Sequence, residues 1–480
     1  MTKRWLALLA ATAWLAACSG GKAVPPILSP SSAGATAQLG ALAHPIDKIK
    51  HVVIVVQENR SFNNLFYGFP GAKTVAFGYD SKNQKIALKP IGLSTNWDVE
   101  HNHLGFEAAC NGTGSIPGTD CQMNGFDKET WQCGQPSFSK CPIKYPPYSY
   151  VPHSDTAPYF SMGEQYVLAD EMFASNFDTS SYVSHQYIIA GQAGTTVDYP
   201  VSNWGCPGGP QDLMWTLYTS GSRVRTFKGS QYRIPTCFDY TTLGDELDDA
   251  TPPLSWAFYA NALGAQGSGA ECGSGARHAY NNNGIWSSYQ AVNHICYGPD
   301  WDKDIINPPS QFITDVGNGN LRDVTWITPT CPDSDHPGCD SDQGPSWVTA
   351  VVNAIGESKF WDSTAIFIFW DDYGGFYDPV APKYLDYDGL GLRIPLLVIS
   401  PYAKKGYVSH VHYEHGSILR FIEDRFGLAR LAATDQRATS PEKDCFDFSQ
   451  PPRAFVPIKS KYGTQFILHQ PPDPRPPDTN

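Results

Sequence analysis

Two short segments carry side chains that could share one task. Gln57-Glu58-Asn59-Arg60-Ser61-Phe62 (QENRSF) places a carboxylate beside a carboxamide, and Trp370-Asp371-Asp372-Tyr373-Gly374-Gly375 (WDDYGG) places two carboxylates together. Carboxylate and amide oxygens are hard ligands that suit one divalent cation such as Mg, Ca or Mn, without choosing among them. The paired glycines permit close backbone approach. Each segment also has a plainer reading: Asp-Asp as a solvated turn or helix cap, Glu-Asn-Arg as a surface ion pair. Spacing alone leaves that choice open.

The elements that must position them are readable. Apolar runs at 51–56 (HVVIVV), 364–370 (TAIFIFW) and 394–400 (IPLLVIS) predict buried parallel strands. In open α/β sheets the ligand site lies beyond the carboxyl ends of the strands. Glu58-Asn59 and Asp371-Asp372 stand there. A helix is predicted over 345–355, with Trp347, Val348, Val351, Val352 and Ile355 on one face and a proline in its first turn, and another over 417–426. Residues 200–300 are Gly- and Asn-rich around Trp204, Trp215, Trp256 and Trp286, which predicts an insertion forming a cleft wall. No second linker or repeat interrupts the body.

The stretches HVVIVVQENRSFNNLFYG, TAIFIFWDDYGGFYD, GLRIPLLVISPYAKKGYVSH and SILRFIEDRFG, in this order, resemble the bacterial phosphoesterase family. That family contains acid phosphatases of the acid phosphatase A type and non-specific phospholipases C. The likeness runs over about residues 48–450. It implies an α/β, alkaline-phosphatase-like fold with a central, mostly parallel sheet flanked by helices. It further implies a metal on oxygen ligands and a Ser or Thr nucleophile that is transiently phosphorylated.

By the resemblance, Glu58 and Asn59 match the first metal-ligand pair, Asp371 and Asp372 the second, and Ser181 the nucleophile, itself a metal ligand. Ser181 opens SYVSH, the hydroxyl–aromatic–two–His element ahead of a helix. A helix N-terminus suits a phosphate. A lone serine there is more often an N-cap, and Thr179, Ser180 and Ser184 are close competitors. His101 (DVEHNH), His336 (SDHPG) and His294 (AVNHICYG) match imidazoles that face the phosphate. His103, His410, His412 and His415 read as structural. Two positions depart from the family pattern: Asn63-Asn64 and Asp378-Pro379 stand where Asp-His is common. Ser449 to Arg453 fits a sulfatase-like S-x-P-x-R pattern but lies too far towards the C-terminus and reads as a surface stretch.

The implied activity is hydrolysis of a phosphoric ester through a phosphoseryl enzyme. The alternatives are a phospholipase C that releases phosphocholine-type head groups, and an inactive, surface-anchored binding lipoprotein. The absence of the long C-terminal extension of many large phospholipases C leans towards phosphatase-sized members. A formal charge of −13 without a basic run argues against nucleic acid as a partner.

Lys3, Arg4 and a short apolar stretch ending in Leu15-Ala16-Ala17-Cys18 form a signal with a lipoprotein-like cleavage box. The expected organisation is a signal peptide at 1–17, a tether at 18–46, the catalytic domain at 47–465 and a Pro-rich tail at 466–480. The mature chain is then held to a membrane through lipid on Cys18, facing the periplasm or exterior, the alternative being a soluble periplasmic or secreted protein. Eleven further cysteines suit an oxidising compartment. Close spacing suggests Cys110–Cys121, Cys133–Cys141 and Cys331–Cys339, and the odd count leaves a free thiol.

Overall fold

Five or six aliphatic or aromatic residues in a row, all buried, leave a strand no face for water, so it must lie inside a sheet covered on both sides. Two such strands form the centre of the molecule. The structure, a computed structural model, describes residues 44–133, 141–177, 180–200, 205–220, 224–227, 233–261, 272–273, 286–386, 389–471 and 473. The expected signal, Cys18 and nearly all of the tether lie outside the described residues, as do Thr179, Trp204, most of the Gly/Asn-rich stretch and the end of the tail.

The main sheet has nine strands. In chain order they are β1 His51–Gln57, β2 Val167–Phe173, β3 Trp256–Tyr259, β4 Ile305–Ile306, β5 Val324–Ile327, β6 Thr364–Trp370, β7 Arg393–Ile399, β8 Tyr407–Ser409 and β9 Tyr413–Glu414. Across the sheet they run β4-β3-β5-β1-β6-β7-β2-β8, with β9 also on β2. All neighbours are parallel except where β7 meets β6 and β2. The expected α/β class with a central, mostly parallel sheet therefore holds. The strand expected at 394–400 runs antiparallel instead. Among the described residues between Trp370 and Arg393 no helix crosses a face of the sheet, and a strand joined to its neighbour without a crossover must reverse. This reversal returns Arg393 to the edge where Asp371 leaves β6.

The predicted helices form as Gly344–Gly356 and His415–Phe426. The first buries Trp347, Val348, Val351, Val352 and Ile355. Residues 200–300 divide. Leu213–Ser220 heads a small separate sheet, while β3 lies in the main sheet and buries Trp256 in the central core. Trp256 is thus a core residue, because its segment is a short buried strand rather than part of a wall. The helix Thr464–Leu468 spans the expected boundary at 465, and Gln470 donates to Asp333 Oδ1 and Gln343 Oε1.

The three closely spaced disulfides form as expected, joined by Cys206–Cys237 and Cys272–Cys296. Cys445 is a buried free thiol.

The two departures from the family pattern brace the loops at this edge. Asp378 and Arg393 are fully buried and pair at 2.8 Å. Arg393 also donates to the carbonyls of Asp170 and Lys73, and Asp378 accepts from the backbone N–H of Asn63. Asn64 donates to Ser149 O. Removing one partner of such a pair strands a buried charge. Asp378→Ala is expected to lower stability by about 3–5 kcal/mol in urea unfolding. Unfolding within ~1 kcal/mol of wild type would contradict this bracing role.

Candidate active site

β1 and β6 are in register at their last residues, Gln57 opposite Trp370. The chain leaves both strands at one point, where Asp371 N donates to Gln57 O. Asn59 takes φ 38°, a left-handed turn that asparagine tolerates better than most residues. Gly374 and Gly375 have φ 62° and 74°. A Cβ on Gly374 would fall 2.1 Å from Asn59 O, and one on Gly375 would fall 2.3 Å from the Val99 side chain. Gly374 lets the WDDYGG turn lie directly on the QENRSF turn, and Gly375 lets it lie on the Val99 segment.

Ser181 is the first residue of the helix Ser181–Ala190. Its hydroxyl donates to Asp372 Oδ2 at 3.1 Å and accepts from Asn59 Nδ2 at 3.0 Å. Asn59 Nδ2 also donates to His101 Nε2 at 2.7 Å and lies 3.4 Å from Asp372 Oδ2. His101 Nδ1 donates to Val99 O, which fixes the tautomer whose Nε2 accepts. Asp372 Oδ1 is held by Gly374 N. All four side chains are buried.

One turn further along the same face of that helix stands His185, four residues after Ser181. Its Nε2 donates to Glu58 Oε1 at 2.8 Å and lies 4.0 Å from Asp371 Oδ2. Ser288 Oγ donates to its Nδ1. One donor atom each from Glu58, His185 and Asp371 lies within 4.8 Å of the other two. Burial pushes the Asp371 carboxyl up to about 6. Among the described residues, neither Asp371 oxygen accepts a well-formed hydrogen bond, nor does Asn59 Oδ1, although all three are buried. Buried acceptors in that condition, on carboxylates and an amide, fit a hard cation. Glu58, Asn59, Asp371 and Asp372 are the residues that could hold it.

The rest of QENRSF builds the opposite wall. Gln57 Nε2 donates to Asp333 O, and Gln57 Oε1 accepts from Asp335 N. The buried Arg60 donates to the carbonyls of Asp335 and Leu93 and to Asn64 Oδ1. Asp335 Oδ2 accepts from Tyr159 and from the Trp370 indole, and burial pushes this carboxyl up to about 7. This clamp presents His336, whose ring centroid is 5.7 Å from that of His101. Ser61 caps the helix Phe62–Phe66.

The structure thus brings together Glu58, Asn59, His101, Ser181, Asp371 and Asp372, with His336 facing His101. It does not bring His294 to them. That ring is part-exposed, and its two nitrogens bond Asp239 and Asp245 at 2.7 and 2.9 Å. The assignment of His294 to the phosphate is corrected on this ground: both nitrogens are engaged in a different, more solvated cluster. His185 is the residue that sequence reading passed over. The i, i+4 relation to Ser181 within SYVSH was its signal, since such residues share a helix face. The competing serines are occupied elsewhere. Ser180 donates to Asp198 O and Ser184 to Asn176 Oδ1. His103 faces Glu107, while His410 and His412 pair with Asp170 and Glu171. His415 packs on Phe369, and burial depresses its imidazole to about 3. Ser449 lies at the surface against Asp447.

Comparison with known proteins shows the family. The profile of the Phosphoesterase family matches residues 49–429, most of the chain, and the protein belongs to that family. It is a hydrolase acting on phosphoric esters. It is similar to phospholipase C B of Mycobacterium tuberculosis, 25% identical across 85% of this chain and 80% of that protein. It is also similar to the non-hemolytic phospholipase C of Burkholderia pseudomallei, 24% identical across 79% of this chain and 55% of the relative. A solved alkaline phosphatase superfamily protein from Vibrio parahaemolyticus overlays with a TM-score of 0.33 and 12% identity, over 57% of this chain and 61% of that one.

If the glycine contact and the Glu58–His185 bond set the ligand geometry, Gly374→Ala and His185→Ala should each weaken Mn²⁺ binding about 10- to 100-fold in calorimetric titration. Wild-type affinity in both variants would show that the cation sits elsewhere.

Proposed function

We propose that the protein is an exported hydrolase that cleaves phosphoric esters through a phosphoseryl intermediate on Ser181. The observation that carries this reading is one serine hydroxyl at a helix N-terminus that donates to Asp372 and accepts from Asn59. The serine's proton is directed at Asp372, which leaves for attack the lone pair of the oxygen that does not accept from Asn59. One divalent ion such as Mg, Ca or Mn on Glu58, Asn59, Asp371 and Asp372, with the Ser181 oxygen at its edge, would neutralise phosphoryl charge and lower the hydroxyl's pKa.

The chain's own residues account for the remaining steps. Ser181 Oγ forms the bond to phosphorus as the ester oxygen departs in line, and its proton passes to Asp372. His336 protonates the leaving alkoxide. His101, neutral and bonded to Asn59, orients that amide at the rim of the phosphate site. Water then attacks phosphorus, giving a proton to His336, as the P–O bond to Ser181 breaks and Asp372 returns the proton to Ser181 Oγ. The helix's positive end favours the phosphate throughout.

A phosphomonoester is the first substrate class. A second reading, cleavage of a phospholipid head group, is favoured by the names of the relatives, which are phospholipases C. Trp286 and Tyr199 near His336 and His101 supply aromatic faces at this end of the site. Five disulfides support an oxidising compartment, and lipid on Cys18 would hold the enzyme at a membrane.

Ser181→Ala should bind Mn²⁺ and phosphate yet lose turnover by several orders of magnitude, and acid-quenched wild type should carry phosphate on the Ser181 peptide. Ser180→Ala should stay active. Phosphate on Ser180, or near-normal turnover of Ser181→Ala, overturns the assignment. Hydrolysis of p-nitrophenyl phosphate compared with phosphatidylcholine separates the two substrate classes.

Cys18→Ala should abolish palmitate labelling and release the protein from the membrane fraction. An unlabelled wild type would place it in the soluble exported class.

A further inference from the structure

Trp286 is almost wholly buried, and among the described residues its indole Nε1 has no hydrogen-bond acceptor. Buried tryptophans normally find one. Here Trp256 donates to Asp248, Trp361 to Arg453 O and Trp370 to Asp335. Trp326 also lacks an acceptor, but its ring lies in the central core between Trp256 and Tyr289. Trp286 lies instead against the candidate active site. Its ring centroid is 5.8 Å from that of His336, inclined at 43°. It packs in the apolar cluster of Tyr182 and Val183, the two residues after Ser181. Two residues further on, Ser288 anchors the segment to the nucleophile helix: its carbonyl accepts from Gln186 and its hydroxyl donates to His185. The indole is therefore wedged between the first turn of that helix and His336.

An indole N–H is a donor only. Leaving it buried and unpaired costs free energy that an apolar ring of the same shape would not. A phosphate ester seated between Ser181 and His336 brings oxygens with spare lone pairs to this wall. We propose that Trp286 is a substrate-contact residue whose indole N–H donates to an oxygen of the bound phosphate ester on the side bordered by His336. This rests on the reading of Ser181 and His336 as the phosphate site. It gives Trp286 a polar role distinct from that of an aromatic face.

The test is Trp286→Phe in the full-length protein, with inorganic phosphate as the probe in calorimetry and the best ester substrate in steady-state assays. Loss of one hydrogen bond to a charged oxygen should weaken phosphate binding and lower kcat/KM by about 10- to 100-fold. Mn²⁺ affinity should be unchanged and Tm unchanged or raised. Phosphate affinity and kcat/KM within twofold of wild type overturn the proposal while leaving the Ser181 mechanism intact. A wild type that hydrolyses no phosphoric ester and binds no phosphate overturns both. Should the variant fail to fold, ¹⁵N-tryptophan spectra of wild type decide. One indole N–H, assigned by Trp286→Tyr, must shift downfield on phosphate addition, and no shift of any indole overturns the proposal.

Discussion

The arrangement depends on one electrostatic constraint. Glu58, Asp371 and Asp372 are carboxylates with no measurable exposure, gathered where two central strands end. Water cannot solvate them there, and no lysine or arginine is bonded to any of the three among the described residues. Burying charges so close together is costly unless a positive partner joins them. His185, which donates to Glu58, offsets part of this cost. The bare oxygens of Asp371 and Asn59 are directed at what must supply the remainder. The site is thus costly as bare buried carboxylates and suited to a cation, and the surrounding structure has to hold it in that state.

The holding is done by groups that never face the substrate. Gln57 and Arg60, on either side of the Glu58-Asn59 pair, reach across to the loop of His336. Asp378 and Arg393 tie the segment after WDDYGG to the reversed strand. A single hexapeptide therefore both supplies ligands and braces the opposite wall, and this accounts for its composition better than a ligand role alone. Ser181 shows the same economy. Ser180 occupies the N-cap position, yet its hydroxyl turns to Asp198 O and makes no cap bond to the helix. The side chain that does point inward is one residue on, about 100° around the axis.

Much of this could be read from the sequence, for physical reasons that also mark where reading stops. β1 and β6 are unbroken apolar runs because both faces are covered, and no other element gives that pattern at that length. β2, Val167–Phe173, escaped because Asp170 and Glu171 interrupt it; Asp170 is buried only because Lys73 N and His410 bond it from other elements. The direction of β7 depends on the absence of a crossover helix, which hydrophobic periodicity does not report. β3 and β5 are four residues each, too short for periodicity to separate from loop.

The candidate site divides along the same line. Glu58, Asn59, Asp371 and Asp372 were accessible because strand ends converge by topology. Ser181, His101 and His336 required likeness to a family, since nothing local in a serine or a histidine states which way it faces. His294 shows the limit of that likeness. A short motif match fixes residue type, whereas proximity is decided by packing, and packing sent this ring to Asp239 and Asp245. His185 shows the converse: a residue whose role is to orient Glu58 becomes evident only when both are buried at 2.8 Å. Groups that act through other side chains carry the weakest sequence signal, yet here they hold the buried carboxylates in the positions where they converge.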